Sequence, residues 1–324
     1  MQVTRSSMPY VLITPARNEG KFIRGTIESV AAQTLRPEKW VIVNDGSTDD
    51  TGEAALEAAK GIDWIEVVNL PVRQERNFAA KVYAFKAGQE RLAGIDYKVI
   101  GNLDADVTLE KDHFEYLMSK FQEDPDLGVA GTIFREPGYC SETDSFEGQN
   151  YVSGQCQIFR RECFEMIGGY TPSKPGGIDW IAVTTARMMG WKTRSFRERC
   201  FYHHRVLGTA NHNKIGKSFT YGKKDYYMGG HPLWEIFRCT YQLRKRPFVI
   251  GGVMLFAGYF TALLTGEKRV VPENLMRFHR REQMMKLKAI LSSLVRFKKI
   301  DSFGLLPVSQ PQRAQQGTAD HVQS

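Results

Sequence analysis

Short apolar segments alternate with helical segments over the first hundred residues, and this alternation limits the fold more than any other feature. Short, mostly apolar runs predict strands at 10–14, 40–43, 64–68 and 99–103. Apolar residues at helical spacing predict helices between them, at 22–32, 52–60 and 77–91. Repeated strand–helix–strand units connect right-handedly into a parallel sheet. The sequence therefore predicts an α/β fold with helices on both faces of a mainly parallel sheet.

The next hundred residues follow a mixed pattern. Helices predicted at 113–121, 161–167 and 181–189 alternate with short strands predicted at 129–134, 156–159 and 192–196. Loops rich in Gly and Pro separate these elements. We expect this segment to complete the same sheet around a binding cleft, so that the first domain comprises residues 1–230.

The net charge of +8 is concentrated near the C-terminus. Residues 266–300 contain ten Lys or Arg and three Glu, which leaves the rest of the chain close to neutral. A single basic segment indicates a local anionic partner, and we expect no nucleic acid.

The five cysteines are scattered without a CxxC pair, a distribution typical of a reducing cytoplasm. No long apolar segment precedes residue 10, so we predict no signal peptide.

Residues 248–265 form an uncharged segment of eighteen residues with basic residues on both sides. That length is at the threshold for a membrane span, but positive charge at both ends favours a re-entrant or in-plane hairpin. A buried helix is the alternative. The sequence of residues 272–300 predicts a basic amphipathic helix. Such a helix either lies on anionic lipid or is an ordinary surface helix. We therefore predict a helical membrane-associating region at 231–300 and a disordered tail at 301–324.

Three predicted strands end in acidic residues. Asp104 and Asp106 follow the strand at 99–103, and their spacing directs both carboxylates to the same side. Asp45 follows the strand at 40–43, and Glu19 follows the strand at 10–14 together with the cation Arg17. Open α/β sheets bind ligands at this edge. The carboxylate pair suits a hard divalent cation that carries a diphosphate, whereas a solvated acidic turn is the simpler alternative.

Seven short motifs follow one another in order along the same part of the chain. They are PARNE at 15–19, NDGSTDDT at 44–51, RN at 76–77, DAD at 104–106, QIFRR at 157–161, IGGY at 167–170 and an Asp at 179 before a helix. In order and spacing they resemble the family 2 glycosyltransferases of the GT-A fold, over about residues 9–205. The resemblance implies a Rossmann-like nucleotide-diphospho-sugar transferase fold and an inverting bacterial enzyme. The Trp of the processive QxxRW pattern is absent, which argues against processive synthesis.

The resemblance also implies a nucleotide and metal site. Its nucleotide-binding positions match Pro15, Arg17, Glu19, Asp45, Arg76, Asn77 and Asp104. Asp45 would read the base, and Phe78 stands where the family often has Gly. Asp106 would ligate Mg²⁺ or Mn²⁺, with Asp104 on the ribose or on metal-bound water. His203 or His204 would complete the coordination, and alternation along a strand means that only one of them need face the site.

The same resemblance implies an acceptor site. Asp179 matches the acidic residue that deprotonates the acceptor hydroxyl, although a helix N-cap is the alternative for this position. Trp180 would provide a platform for an acceptor sugar. Arg160 and Arg161 would contact the diphosphate or the acceptor, or else form an ordinary solvated helix start.

Together these features predict a metal-dependent transferase that moves one sugar from a nucleotide-sugar, expected to be a UDP-sugar, to an acceptor hydroxyl. The basic and apolar C-terminal region favours a lipid-linked glycan acceptor and a peripheral or monotopic position at the cytoplasmic face of the cell membrane. A polyprenyl-phosphate glycosyltransferase is the nearest alternative, and it would need no base at Asp179. A nucleotidyltransferase and a non-catalytic sugar-binding protein are more distant alternatives.

Overall fold

The computed structural model describes residues 8–72, 78–144, 148–205, 214–245 and 248–296. The chain divides into two compact units, of which the first extends to Arg205 and the second contains the helices between Lys214 and Val295. We call them unit 1 and unit 2. The division falls after Arg205, earlier than the boundary expected near residue 230.

The first part of unit 1 alternates strands and helices as predicted. In chain order its elements are β1 (Tyr10–Ala16), α1 (Gly20–Ala31), β2 (Lys39–Asn44), α2 (Thr51–Ala58), β3 (Ile65–Asn69), α3 (Phe78–Glu90) and β4 (Val99–Leu103). β1 lies between β2 and β4 and pairs with both in parallel, and β2 pairs with β3 in parallel. The parallel arrangement brings the carboxyl ends of these strands to one edge of the sheet, which we call the site edge.

The second part of unit 1 extends the same sheet. Its elements are β5 (Val107–Leu109), α4 (His113–Glu123), β6 (Leu127–Glu136), β7 (Tyr139–Cys140), α5 (Ser141–Asp144), β8 (Cys156–Arg160), α6 (Arg161–Met166), α7 (Ile178–Met188) and β9 (Lys192–His203). The strand order is β3-β2-β1-β4-β8-β6-β9-β5, with β7 beside β6. β8 runs antiparallel to both β4 and β6, so the sheet is mixed and mainly parallel, as predicted.

Side-chain alternation along the central strands builds a core on each face of the sheet. Leu12 of β1 and Trp40 of β2 pack on one face with α1 and α4. Ile13 and Val41, the next residues along these strands, pack on the other face with α3, α6 and α7. This two-sided burial explains why the strands are nearly continuous apolar runs. It also holds the loops at the site edge on a rigid support.

Unit 2 consists of four helices among its described residues, α8 (Lys214–Tyr227), α9 (Pro232–Gln242), α10 (Ile250–Leu264) and α11 (Glu273–Val295). α8 and α10 pack at backbone contact because glycines face each other. A Cβ on Gly222 would lie 2.0 Å from the carbonyl oxygen of Leu255, and one on Gly258 would lie 2.0 Å from that of Phe219. Helices this close bury their small residues and leave the larger apolar residues of α10 for its other face.

The apolar segment predicted at 248–265 is the helix α10, which has 15 residues, fewer than the roughly 20 that a membrane span needs. Across the described residues, no helix combines the length and the apolar character that crossing a membrane requires. The basic helix predicted at 272–300 is α11, which ends at Val295. Residues 297–300 and the predicted tail at 301–324 lie outside the described residues.

Candidate active site

The loops that follow β1 and β2 are tied to each other. The backbone N–H of Asn18 donates to Ser47 Oγ at 3.0 Å, and the Asn18 side chain accepts from the N–H of Thr48 at 2.9 Å. The N–H of Glu19 donates to Thr51 Oγ1 at 2.7 Å. Asn18 and Gly46 both have positive φ, of 56° and 61°, which allows the two loops to turn towards each other. This bonding fixes the positions of Glu19 and of the buried Asp45 side by side at the site edge.

Asp104 follows β4 and is neutralised by a lysine that the sequence analysis missed. Lys81, in the first turn of α3, places its Nζ 2.5 Å from Asp104 Oδ1. Burial opposes the charge of Lys81, but the adjacent Asp104 outweighs it and raises the pKa of Lys81, with smaller contributions from Asp179 and Asp106. Asn102, two residues before Asp104 on the same strand, donates to Asp104 Oδ1 at 3.2 Å. One ammonium therefore lies within electrostatic reach of three of the predicted site carboxylates.

Asp106 lies beside His203. The Asp106 Oδ2 to His203 Nε2 distance is 3.2 Å, and the other ring nitrogen, Nδ1, lies 2.7 Å from Glu136 Oε1. All three side chains are nearly buried. Burial disfavours the imidazolium, but the hydrogen bonds to Asp106 and Glu136 raise the pKa of His203 above its usual value. Glu136 thus fixes the orientation of the ring and directs Nε2 towards Asp106.

The short strand β5 explains why His203 faces the site and His204 does not. Val107 of β5 pairs with His203 of β9, which brings His203 next to Asp106. His204 points to the other side of the strand, where its ring lies 3.1 Å from Thr108 Oγ1 and stacks on Phe22. The two histidines, which the sequence left as alternatives, therefore have different environments.

Arg205 connects the first acidic loop to the third. Its guanidinium lies 2.5 Å from Glu19 Oε2 and 3.7 Å from Asp106 Oδ2. Glu19 is largely buried, and burial together with the negative charge of Asp106 raises its pKa to about 7, although Arg205 acts in the opposite direction. The site edge therefore alternates carboxylates with cationic side chains.

Asp179 is the second residue of α7 and lies in the first turn of that helix. The hydroxyl of Tyr151 donates to Asp179 Oδ2 at 2.6 Å. Gly154 leaves room for the carboxylate, because a Cβ at that position would lie 2.8 Å from the Cβ of Asp179. The side chain of Asp179 makes no N-capping hydrogen bond, and Gly177 is the N-cap of α7. Its carboxylate is held in place from one side and remains partly exposed.

Arg160 and Arg161 do not fit the predicted contact with diphosphate or acceptor. β8 runs antiparallel to β4, so Arg160 pairs with Val99, at the opposite end of β4 from Asp104. Its guanidinium donates to the carbonyl oxygens of Phe121, Asp124 and Leu127. Arg161 pairs with Glu165 and lies over the ring of Tyr97. We call this end of the strands the far edge, and here both arginines support the fold.

The remaining predicted site residues have varied positions. Trp180 is only 9% exposed, which does not fit a platform for a sugar because stacking needs an open ring face. Pro15 and Arg17 are partly exposed at the end of β1, next to Glu19. Arg76 and Asn77 lie outside the described residues, as does the side chain of Phe78.

The donor set at Asp106 fits a divalent metal in part. A carboxylate oxygen and an imidazole nitrogen 3.2 Å apart, with a carboxylate behind the imidazole, are ligands that suit Mn²⁺. Within the part of the chain that is described, no group of three or more His, Cys, Asp or Glu side chains is arranged to hold a metal ion. Two protein ligands leave room for phosphate oxygens and water, as Mg²⁺ and Mn²⁺ sites on nucleotides often require.

The fold is of the GT-A type, and comparison with known proteins supports that class. Residues 11–168 match the model of Glycosyl transferase family 2. This match identifies residues 11–168, about half of the chain, as a glycosyltransferase family 2 domain.

A curated relative, poly-beta-1,6-N-acetyl-D-glucosamine synthase of Staphylococcus epidermidis, is 24% identical over 209 residues, which are 59% of this chain and 47% of that protein. The match thus spans about half of the length of that relative.

Two solved structures show the same fold. The crystal structure of S. aureus TarS 1-349 in complex with UDP-GlcNAc covers 91% of this chain and 89% of its own, at 15% identity and a TM-score of 0.52. The mannosyltransferase PcManGT from Pyrobaculum calidifontis, in complex with GDP-Man and Mn²⁺, covers 90% and 76%, at 16% identity and a TM-score of 0.51. The agreement confirms the predicted fold class.

Proposed function

We propose that the chain is a metal-dependent, inverting glycosyltransferase that moves one sugar from a nucleotide-sugar to an acceptor hydroxyl. The observation that carries this proposal is a series of contacts between Asp104 and Asp179. Lys81 pairs with Asp104. Asn102 donates both to Asp104 Oδ1 and to the carbonyl oxygen of Gly154, and Gly154 lies against the side chain of Asp179. Asp104 belongs to the predicted donor site and Asp179 to the predicted acceptor site. A transferase needs these two sites to share one reaction centre.

The tied loops after β1 and β2 form the nucleoside-binding part of this proposal. Asp45 accepts a hydrogen bond from an N–H of the base, and Pro15, Arg17 and Glu19 line the same edge. Asp104 contacts the ribose or metal-bound water, and its pairing with Lys81 keeps the carboxylate in place. Lys81 also supplies positive charge at the end of β4, where a diphosphate would bring negative charge.

Asp106 and His203 are the residues that would hold Mg²⁺ or Mn²⁺. When bound, the ion would supply positive charge to the diphosphate leaving group. Glu136 holds the ring of His203 so that Nε2, not Nδ1, faces Asp106. Arg205 lies between Glu19 and Asp106, where its guanidinium can turn towards a bound diphosphate.

Asp179 acts as the general base. Its free carboxylate oxygen takes the proton of the acceptor hydroxyl as the acceptor oxygen attacks the anomeric carbon of the sugar. The bond from the anomeric carbon to the phosphate oxygen breaks in the same displacement, and its electron pair leaves with the nucleoside diphosphate. Attack opposite the leaving group inverts the anomeric configuration. Tyr151 holds the other carboxylate oxygen, which fixes the direction from which the base acts.

We place unit 2 at an anionic membrane surface, where it would bring the enzyme to a lipid-linked acceptor. Exposed apolar residues lie together where α9 leads into α10, namely Leu243, Phe248, Val249, Ile250 and Val253. Arg244 and Lys245 flank them, and the charge of residues 266–300 is strongly positive. An apolar tip flanked by basic residues is typical of proteins that insert into one leaflet. This position fits a peripheral or monotopic protein.

Donor turnover tests the reaction. The full chain is incubated with UDP-GlcNAc and, separately, GDP-Man, each with Mn²⁺ or with EDTA, and the released nucleotide is identified. We expect nucleoside diphosphate to appear with at least one donor only when Mn²⁺ is present, and Asp106→Asn to reduce the rate by about 10²–10³-fold. Release of pyrophosphate would instead indicate a nucleotidyltransferase. Metal-independent turnover would contradict the assignment of Asp106 and His203.

Co-sedimentation with vesicles tests the membrane position separately. We expect binding to vesicles that contain phosphatidylglycerol and weaker binding after Phe248→Ser and Val249→Ser. Leu264→Ser, at the other end of α10, removes an apolar side chain that is even more exposed than Phe248 and Val249, and it serves as the control. Equal losses from the two ends would contradict insertion of the tip.

A further inference from the structure

Two arginines of unit 2 stand close to each other without an acidic partner. Arg269 and Arg280 repel each other, and burial together with this repulsion lowers the pKa of Arg280. Among the described residues neither guanidinium forms an ion pair with a carboxylate. The acidic residues nearby are paired elsewhere, Glu267 with Lys223, Asp225 with Arg238 and Glu273 with Arg277. Unit 2 therefore keeps two like charges together at a cost to the fold.

The surroundings hold both guanidiniums in place. Arg269 lies over the ring of Tyr226, with 4.6 Å between its guanidinium carbon and the ring centroid. Its Nη1 contacts the sulfur of Met276, one helical turn before Arg280 on α11. Arg280 Nε donates to the carbonyl oxygen of Gly229 at 3.0 Å. Met276 also packs against Gly229, so both arginines border the same turn between α8 and α9.

One donor in this arrangement has no acceptor. Nε of Arg269 is buried and makes no hydrogen bond in the described structure. Buried polar groups normally have partners, and an unsatisfied one costs about 1–3 kcal/mol. Two positioned guanidiniums, an unsatisfied donor and, among the described residues, no carboxylate paired with either arginine together describe a site that lacks its anion.

We propose that Arg269 and Arg280 form a binding site for a phosphate group. A planar guanidinium presents paired N–H donors that match two phosphate oxygens, and two of them match the charge of a phosphate monoester. The repulsion between the arginines disappears when the anion binds. The phosphate belongs to a lipid headgroup at the membrane surface where we place unit 2, and to this extent the inference rests on the proposed function. A free phosphate ester in solution would present the same chemistry.

Double variants of the full chain test the site. Arg269→Gln with Arg280→Gln removes the pair, and Arg277→Gln with Arg281→Gln removes the same charge from exposed positions of α11. Each basic residue near an anionic surface contributes about 1 kcal/mol, so either double variant loses about 30-fold in general attraction to charged vesicles. We expect the Arg269/Arg280 variant to bind vesicles containing phosphatidic acid at least tenfold more weakly than the control variant. Equal losses would overturn the lipid-headgroup site.

Inorganic phosphate distinguishes a lipid headgroup from a free phosphate ester, and the melting curves also show whether each variant is folded. We expect it to raise the melting temperature of the wild-type chain and of the control variant, but not of the Arg269/Arg280 variant. Inorganic phosphate could stabilise the wild-type chain while the Arg269/Arg280 variant and the control variant lose vesicle binding equally. That result would support a site for a soluble phosphate ester and overturn the assignment to a lipid headgroup. Arg280→Lys keeps the charge and loses the paired donors, so it should fold and retain only part of the effect. No stabilisation and no pair-specific loss would overturn the site. Neither assay uses a nucleotide-sugar, so its outcome is independent of donor turnover.

Discussion

The two ends of the strands in unit 1 carry similar charged side chains and use them in different ways. At the site edge, Asp104, Glu19 and Asp106 are balanced by the side chains of Lys81, Arg205 and His203. At the far edge, Arg160 binds three backbone carbonyl oxygens. Side-chain pairs can exchange partners when a charged ligand arrives, whereas backbone acceptors are part of the fold. The partners of the charged side chains, more than the residue types, distinguish the site edge from the far edge.

The largest effect is expected from the base at the site edge. Asp179→Asn removes the proton acceptor while keeping the size of the side chain, so we expect kcat to fall by about 10³-fold. The measurement is release of nucleoside diphosphate at saturating donor and acceptor. Asp124→Asn is the matched far-edge control, because the Asp124 carboxylate pairs with Lys192 and accepts from the backbone N–H of Asp126, far from the site edge, so this variant should leave kcat unchanged. Full turnover of Asp179→Asn would favour a polyprenyl-phosphate acceptor, which needs no base.

The far edge should respond in stability and not in activity. Arg160→Met leaves three carbonyl oxygens without their donor, and we expect the free energy of unfolding to fall by about 3 kcal/mol in urea titrations. Turnover per folded molecule should be unchanged. Arg161→Met removes an exposed pair with Glu165 and should cost less than about 1 kcal/mol. A stable Arg160→Met protein with reduced kcat would show that the far edge takes part in the reaction after all.

A smaller effect is expected behind the metal ligands. Glu136→Gln weakens the hydrogen bond that orients His203, and such changes typically reduce metal affinity by about 10–100-fold. Titration of the protein with Mn²⁺, followed by electron paramagnetic resonance, measures the affinity directly. Glu142→Gln removes a carboxylate that pairs with Arg197 at the surface and should leave the affinity unchanged. If Glu136→Gln and Glu142→Gln both bind Mn²⁺ with wild-type affinity, the hydrogen bond between Glu136 and His203 does not contribute to metal affinity.

The sequence was sufficient for the parts of the fold that depend on local pattern. β4 lies at 99–103 as predicted, because a continuous apolar run bounded by polar residues leaves little choice of register. The acidic ends of β1, β2 and β4 meet because parallel strands align their carboxyl ends. The helix α8 was not predicted, and α9 was covered only by the general prediction of a helical region at 231–300, although both helices have a distinct apolar face.

The site residues that were missed depend on pairing between distant segments. His203 could not be chosen over His204 without β5, a strand of three residues that sets the register of β9 beside Asp106. Arg160 was placed at the wrong edge because nothing in its own sequence shows that β8 runs antiparallel to β4. Lys81 had a usable signal, since it lies in the first turn of a helix that follows a parallel strand, where side chains reach the site edge.

The smallest effect concerns Glu19, whose raised pKa makes the site edge sensitive to pH in the metal-free protein. With a pKa of about 7 when folded and near 4.5 when unfolded, Glu19 binds a proton more tightly in the folded chain. Its contribution to stability is therefore present at low pH and is lost as pH rises from about 4.5 to 7. Glu19→Gln removes this dependence, and with EDTA present we expect it to gain about 1–2 kcal/mol of stability relative to wild type between pH 5 and pH 8. Urea unfolding at both values measures the difference. Glu66→Gln is the control, because hydrogen bonds from Lys39 and Arg91 outweigh burial and lower the pKa of Glu66. The contribution of Glu66 is present above its unfolded pKa of 4.5, so this variant should be less stable than wild type by a similar amount at pH 5 and at pH 8. An unchanged pH dependence in Glu19→Gln would mean that Arg205 alone neutralises Glu19, and the site edge would then hold a permanent ion pair in place of a carboxylate that titrates near neutrality.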